Sequence, residues 1–142
     1  MRIAEVLRKK GSDVATISPD ATVTELLAVL AERNVGALVV VENERIVGIV
    51  SERDVVRRAH ERGAAILSAK VAEIMTTEVA TCDPAETVDH LTVLMTQRRI
   101  RHVPVIDNGR LCGIVSIGDV VKNRMDELEE AQKQLQAYIL QG

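Results

Sequence analysis

A chain of 142 residues that is 46% hydrophobic and 27% charged suits one ordinary globular domain or two small halves sharing a core, and is neither disordered nor fibrous. The net charge of −3 argues against a basic field for nucleic acid or acidic lipid, and with Tyr138 as the lone aromatic, base stacking on aromatic platforms is a poor template. Cys82 and Cys112 have no metal or redox spacing and read as small buried apolar residues in a reducing compartment.

The opening residues carry acid early and lack a long apolar core, so no secretory signal is expected. The longest apolar run, 35–41, is far below the roughly 20 residues that span a bilayer. The expectation is a soluble, cytoplasmic protein with no membrane and no nucleic-acid partner.

In chain order, Ile3, Val6 and Leu7 recur at helical spacing and Gly11 closes the segment, so a short amphipathic helix comes first. Residues 14–17 read as a brief strand ended by Ser18-Pro19-Asp20. Thr22-x-x-Glu25 is a capping box ahead of Val23, Leu26, Leu27, Leu30 and Ala31 on one helical face, stopped by Asn34 and Gly36. The β-branched runs 37–41 and 46–50 read as a hairpin around Glu42-Asn43-Glu44-Arg45. Ser51 caps a helix through Val55, Val56 and Ala59 that ends at Gly63. Residues 64–77 form a joint with a turn or two of helix near Val71, Ile74 and Met75. It contains no flexible spacer, so the halves are expected to pack together.

The order then repeats, with a strand at 79–82, a turn at Pro84, a helix at 88–97 and hairpin strands at 102–106 and 111–115. The second hairpin turns on Asn108-Gly109, the favoured type I′ pair. The first has Glu44 where Gly109 stands, so either Glu44 takes φ > 0 at a cost of about 1 kcal/mol or its loop differs. The last helix runs from Asp119 through Val120, Val121, Met125, Leu128, Ala131, Leu135, Tyr138 and Ile139. These apolar positions fall near a repeat of about 3.5 residues, enough to seek a partner surface.

One stretch organises all of this. Gly48-Ile49-Val50-Ser51-Glu52-Arg53-Asp54 returns 65 positions later as Gly113-Ile114-Val115-Ser116-Ile117-Gly118-Asp119. The register also joins Thr16 to Thr81, Pro19 to Pro84, Thr22 to Thr87 and Asn43 to Asn108. The chain is a duplicated supersecondary unit. Neither copy can bury its sheet face alone, whereas two back to back can.

Two β-α-β-β-α copies, each with Gly-Ile-Val-Ser-x-x-Asp at the strand-to-helix turn, resemble a pair of CBS (cystathionine beta-synthase) domains over residues 14–122. The block Met95-Thr96-Gln97-Arg98-Arg99-Ile100-Arg101-His102-Val103-Pro104-Val105-Ile106-Asp107 resembles stand-alone bacterial two-CBS proteins. The resemblance implies an α/β fold in which two repeats pack as a pseudo-twofold Bateman module with N-terminal and C-terminal helices. It divides as 1–66 and 67–142. It further implies adenosine-containing ligands in clefts between the domains, assembly as a homodimer, no catalysis of its own and an unknown downstream protein partner.

Residue types alone leave Ser51 and Asp54 open between two roles. Ser-x-x-Asp at a helix start is a capping box, with no function needed. Equally, a carboxylate fixed there can accept both hydroxyls of a ribose, beside backbone N–H groups that tolerate phosphate. The resemblance favours ribose, and implies that the acid of one domain faces the hairpin entry of the other. On that reading Asp54 is met by Arg101, His102 and Arg53; for Arg101 and His102 the bland alternative is a solvated strand end. Aliphatic Ile17, Ala21, Val35 and Ile49, with Thr16 as a polar edge, are expected to hold an adenine, and Pro104 to shape a strand end. A second cleft would use Thr81, Ser116 and Asp119. It is faced only by Gly36 and Ala37, so it is expected to hold phosphate poorly.

The expected ligand is AMP, ADP, ATP or NAD. No metal is expected: His60 and His90 lack a second ligand at metal spacing, and Glu127, Glu129 and Glu130 read as a solvated helix face. No P-loop, nucleophile elbow or zinc-protease motif appears. The leading expectation is a regulatory nucleotide-binding module, not an enzyme. The alternative is a ligand-independent assembly protein with vestigial clefts.

Overall fold

The computed structural model describes residues 1–141. The first repeat contains β1 (Thr16–Ile17), α2 (Val23–Arg33), β2 (Ala37–Glu42), β3 (Arg45–Ser51) and α3 (Glu52–Arg62). A 3-10 turn (Gly63–Ser68) and the short α4 (Val71–Ile74) lead into the second, made of α5 (Val88–Arg98), β4 (His102–Asp107), β5 (Arg110–Ser116) and the long α6 (Ile117–Gln141). Helix α1 (Ile3–Lys10) precedes them all.

Both hairpins have the same register and the same irregularity, a bulge between Val40 and Val41 in one and between Val105 and Ile106 in the other. Both turn on two residues in the left-handed region: Asn43 at φ 51° with Glu44 at φ 64°, and Asn108 at φ 51° with Gly109 at φ 79°. The first turn is therefore the same type as the second, and Glu44 carries the conformational cost that Gly109 avoids.

The opening strands differ from the sequence expectation. In the first repeat only Thr16 and Ile17 pair, parallel to Val39 and Val40. In the second, the expected strand 79–82 shrinks to one bridge, Cys82 to Val105, held by the Cys82 N–H on the Pro104 carbonyl and the Ile106 N–H on the Cys82 carbonyl. One more rung, the match of Thr16 with Val39, would need an N–H at position 104. Proline has none, so the ladder stops.

Each repeat builds its own apolar core, yet the helices that close those cores lie elsewhere in the chain. Ile3, Val6 and Leu7 of α1 pack with Val88, Leu91, Met95, Val103, Val105, Val115 and Val120 of the second repeat. Val71 and Ile74 of α4 pack with Val23, Leu26, Leu30, Leu38, Val40 and Val50 of the first. The two dockings use matched backbone bonds. The Ile3 N–H donates to the Glu86 carbonyl and the Ala4 N–H to that of Pro84, just as the Val71 and Ala72 N–H groups donate to the carbonyls of Ala21 and Pro19. Thus α1 serves the second repeat as α4 serves the first.

Glycine is needed where these helices cross the sheets. A Cβ on Gly113 would sit 2.6 Å from Leu7 Cδ2, and one on Gly48 2.7 Å from Met75 Sδ and 2.9 Å from the Thr76 carbonyl. No helix among the described residues is long and apolar enough to cross a membrane.

Candidate functional site

The geometry starts at the two Ser-x-x-Asp turns. At the first, the Ser51 N–H and hydroxyl both donate to Asp54 Oδ2, at 2.8 and 3.0 Å, while the Asp54 N–H donates to the Ser51 hydroxyl at 3.3 Å. This is a complete capping box, and it fixes the carboxylate in place through Oδ2 alone. Asp54 Oδ1 makes none of these bonds, so capping leaves an acceptor for a ligand.

Asp54 lines a cleft of about 710 Å³ bounded by Gly36, Ala37, Ile49 and the start of α3 from the first repeat, by 76–80 of the joint, and by Arg98, Arg99, Ile100, Arg101 and His102 of the second. Of the residues expected from sequence, Ser51, Arg53, Asp54, Arg101, His102 and Ile49 line this one hollow. Thr16, Ile17, Ala21 and Pro104 do not. Ile17 and Ala21 pack against the first core, Thr16 is an exposed ladder residue, and Pro104 is buried in β4. Val35 lines a smaller adjoining hollow with Leu27, Leu30 and Ala31. The apolar lining of the main cleft comes instead from Ile49, Val79, Ala80 and Ile100.

The charge in the cleft exceeds what Arg53 and Arg101 suggested. Arg57, Arg98 and Arg99 join them, giving five arginines against the three carboxylates Glu52, Asp54 and Glu78. Among the described residues none of the five guanidiniums is in an ion pair. Arg99 is the telling one. It ends α5 in the left-handed conformation at φ 55°, where the first repeat uses Asn34 at φ 53°. Asparagine tolerates that conformation, whereas arginine is strained in it.

His102 brings an imidazole rather than a guanidinium to this wall. Burial depresses its pKa, the nearby Lys10 charge adds to this, and Asp119 and Glu52 only partly oppose it. The neutral form of the ring is therefore favoured, and a neutral imidazole can offer a hydrogen bond rather than a charge. It also sits against Gly36, where an added Cβ would lie 3.5 Å from the ring and 3.3 Å from Glu52.

The second motif is built alike and used differently. The Ser116 N–H donates to Asp119 Oδ2 at 2.8 Å, but that oxygen also takes Lys10 Nζ from the end of α1 at 2.5 Å. Lys10 donates as well to the Ile114 carbonyl at 2.8 Å. The matching carbonyl in the first repeat, Ile49, accepts the backbone N–H of Thr76. Because α1 is one turn longer than α4, a lysine ammonium reaches where a peptide N–H stands in the other half. Burial would raise the Asp119 pKa, but the Lys10 and Ser116 hydrogen bonds and the Lys10 charge outweigh it and hold the acid below its ordinary value. Thr81 is exposed and lines neither of the two hollows. Gly36 and Ala37, expected to face Asp119, instead line the Asp54 hollow, and Asp119 is not without a cation, since Lys10 of the protein's own α1 stands on it. No cluster of His, Cys, Asp and Glu suited to a metal occurs among the described residues.

Sequence reasoning missed Arg57, Arg98, Arg99, Thr76, Glu78, Val79, Ala80 and Ile100. The run Arg98-Arg99-Ile100-Arg101 carried a usable signal, since an arginine stands where the register places Asn34, the helix stop of the first copy.

The CBS domain pattern matches this chain twice, at residues 3–61 and 71–126. The mitochondrial CBS domain-containing protein CBSX3 of Arabidopsis thaliana is 39% identical over 99% of this chain and 72% of its own length. A crystal structure of a CBS-domain containing protein from Agrobacterium tumefaciens is 43% identical and superposes with a TM-score of 0.86, covering 87% of this chain and 99% of that one. The CBS domain pair of protein MJ0100, crystallised with 5′-methylthioadenosine and S-adenosyl-L-methionine, is 26% identical with a TM-score of 0.79, covering 89% and 98% of the two chains.

Proposed function

The chain belongs to the CBS-domain family as a tandem pair, and from that premise we propose that it is a non-catalytic regulatory module. In this reading it senses an adenine nucleotide (AMP, ADP, ATP or NAD) in the cleft at Asp54, in the cytoplasm and as a homodimer that signals to a downstream protein. The observation that carries the reading is one carboxylate fixed by its own capping box in an inter-repeat hollow that also holds five arginines, two from its own helix and three from the second repeat, none of them in an ion pair among the described residues. Asp54 Oδ1 takes the ribose hydroxyls. Ile49, Val79, Ala80 and Ile100 enclose the base, while Arg53, Arg57, Arg98, Arg99 and Arg101 take the phosphates.

The adenosine ligands of the MJ0100 pair support a nucleoside in this fold. Unlike S-adenosyl-L-methionine, whose sulfonium is cationic, the ligand here must be anionic to satisfy the arginines. Bridging two repeats, it favours one relative arrangement of them, and only such differential affinity transmits a signal.

A thermal-shift panel tests this. A nucleotide at 100 times its dissociation constant stabilises by about 2.7 kcal/mol. Asp54→Ala abolishes most of that shift, and adenosine without phosphate gives little of it. No shift with any adenine nucleotide would instead leave the second reading, a ligand-independent assembly protein, which the exposed apolar stripe of α6 favours.

A further inference from the structure

Helix α6 leaves the body of the module: every residue from Leu128 to Gln141 is exposed. Its apolar side chains do not scatter. Val121, Met125, Leu128, Leu135 and Ile139 are all more than half exposed, and with Gln132 they alternate in steps of four and three. That is the period of a heptad seam, which keeps one face toward a neighbour through a left-handed supercoil. A helix of this length with no contacts is marginal in water, so the stripe calls for a cover.

We propose that α6 pairs with α6 of a second copy of this chain as a parallel, in-register, two-stranded coiled coil. Its d positions are Val121, Leu128 and Leu135, and its a positions are Met125, Gln132 and Ile139. Two features choose the orientation. In a parallel pair, Arg124 at g lies beside the partner's Glu129 at e of the next heptad, twice by symmetry. Arg124 now leans on Glu127 at 3.4 Å in an exposed contact that holds it weakly. An antiparallel pair with the same apolar layers sets Glu129 against the partner's Glu129 instead, with no opposite pair in exchange. The second feature is Gln132. In register, its amide meets the partner's amide and both are satisfied, whereas antiparallel it is buried against the partner's Leu128. A polar a position of this kind fixes register and strand number. Pairing does not depend on the ligand.

The test is sedimentation of the full chain over a concentration series, with Leu128→Lys/Leu135→Lys as the variant. Both leucines are 60% exposed in the single chain, so its fold is not at stake, which circular dichroism checks. Wild type should dimerise, and the variant's dimer dissociation constant should rise by about a hundredfold or more, as two buried leucines per chain become lysines. For orientation, Gln132→Cys and Glu129→Cys are compared under mild oxidation in a Cys112→Ser background. Gln132→Cys should cross-link and Glu129→Cys should not. A monomeric wild type, or a dimer indifferent to the two lysines, overturns the pairing. Preferential cross-linking of Glu129→Cys overturns the parallel register.

Discussion

Replacing Lys10 by methionine isolates the contact that separates the two motifs. Methionine keeps the apolar stem and removes the ammonium, so the Asp119 carboxylate and the Ile114 carbonyl each lose a donor. A hydrogen bond to a charged group contributes about 1.5–3 kcal/mol when sheltered. Here the lysine and aspartate side chains are 30% and 21% exposed, so solvent screening brings the expected loss to about 1–2 kcal/mol. For a chain of this size that lowers Tm by about 3–8 °C. The loss depends on pH in a definite direction. Asp119 is held below its ordinary value, so its contribution is present above the unfolded carboxylate's pKa, near about 4, and disappears as pH falls through the folded value. Melting curves of wild type and Lys10→Met, taken from pH 7 down to pH 3, should therefore converge in acid. Asp119→Asn and the double variant complete a cycle that measures the coupling directly. Equal Tm values at pH 7, or a gap that survives undiminished in acid, would refute the staple.

Three other expectations follow from backbone geometry and the cleft. Arg99→Asn should raise stability by about 1 kcal/mol by relieving the left-handed arginine, while weakening nucleotide affinity in calorimetry; a variant that gains neither stability nor loses affinity contradicts both halves of the argument. Glu44→Gly should stabilise by about 0.5–1 kcal/mol in denaturant titration, and Gly109→Ala should destabilise by a similar amount, because the two turns share a conformation. Gly48→Ala should cost more than Gly113→Ala, with both losses about 1–3 kcal/mol. The first Cβ meets a backbone carbonyl that cannot step aside, and the second meets only the end of Leu7.

Local chemistry made much of the fold legible. The register of 65 positions placed both hairpins and both Ser-x-x-Asp caps, because each depends on neighbours in sequence, but it left the first turn open, since Glu44 stands where Gly109 does, and only the backbone angles show the two turns alike. The exchange of α1 and α4 was not readable. The spacing of Ile3, Val6 and Leu7 says that one face is apolar, but not which sheet receives it. The strand 79–82 failed on one distant residue, since its ladder depends on what Pro104 can donate. For the cleft, Asp54, Arg53, Arg101 and His102 announced themselves by position in the repeat. Val79 and Ala80 were assigned to a strand, and Arg98 and Arg99 fell between the helix at 88–97 and the strand at 102–106 with no role of their own; only tertiary packing turns all four into one wall.

The docking of α1 on the second repeat also sets an order of events on the ribosome. The first repeat and α4 emerge in one continuous stretch and can close their core at once. Ile3, Val6 and Leu7 are made ahead of them, yet β5 and the start of α6 that cover these three lie about a hundred residues downstream, on the order of ten seconds of translation away. Through that interval the nascent chain carries an orphan greasy segment ahead of a finished half. Only once the second repeat has emerged can that segment find its cover.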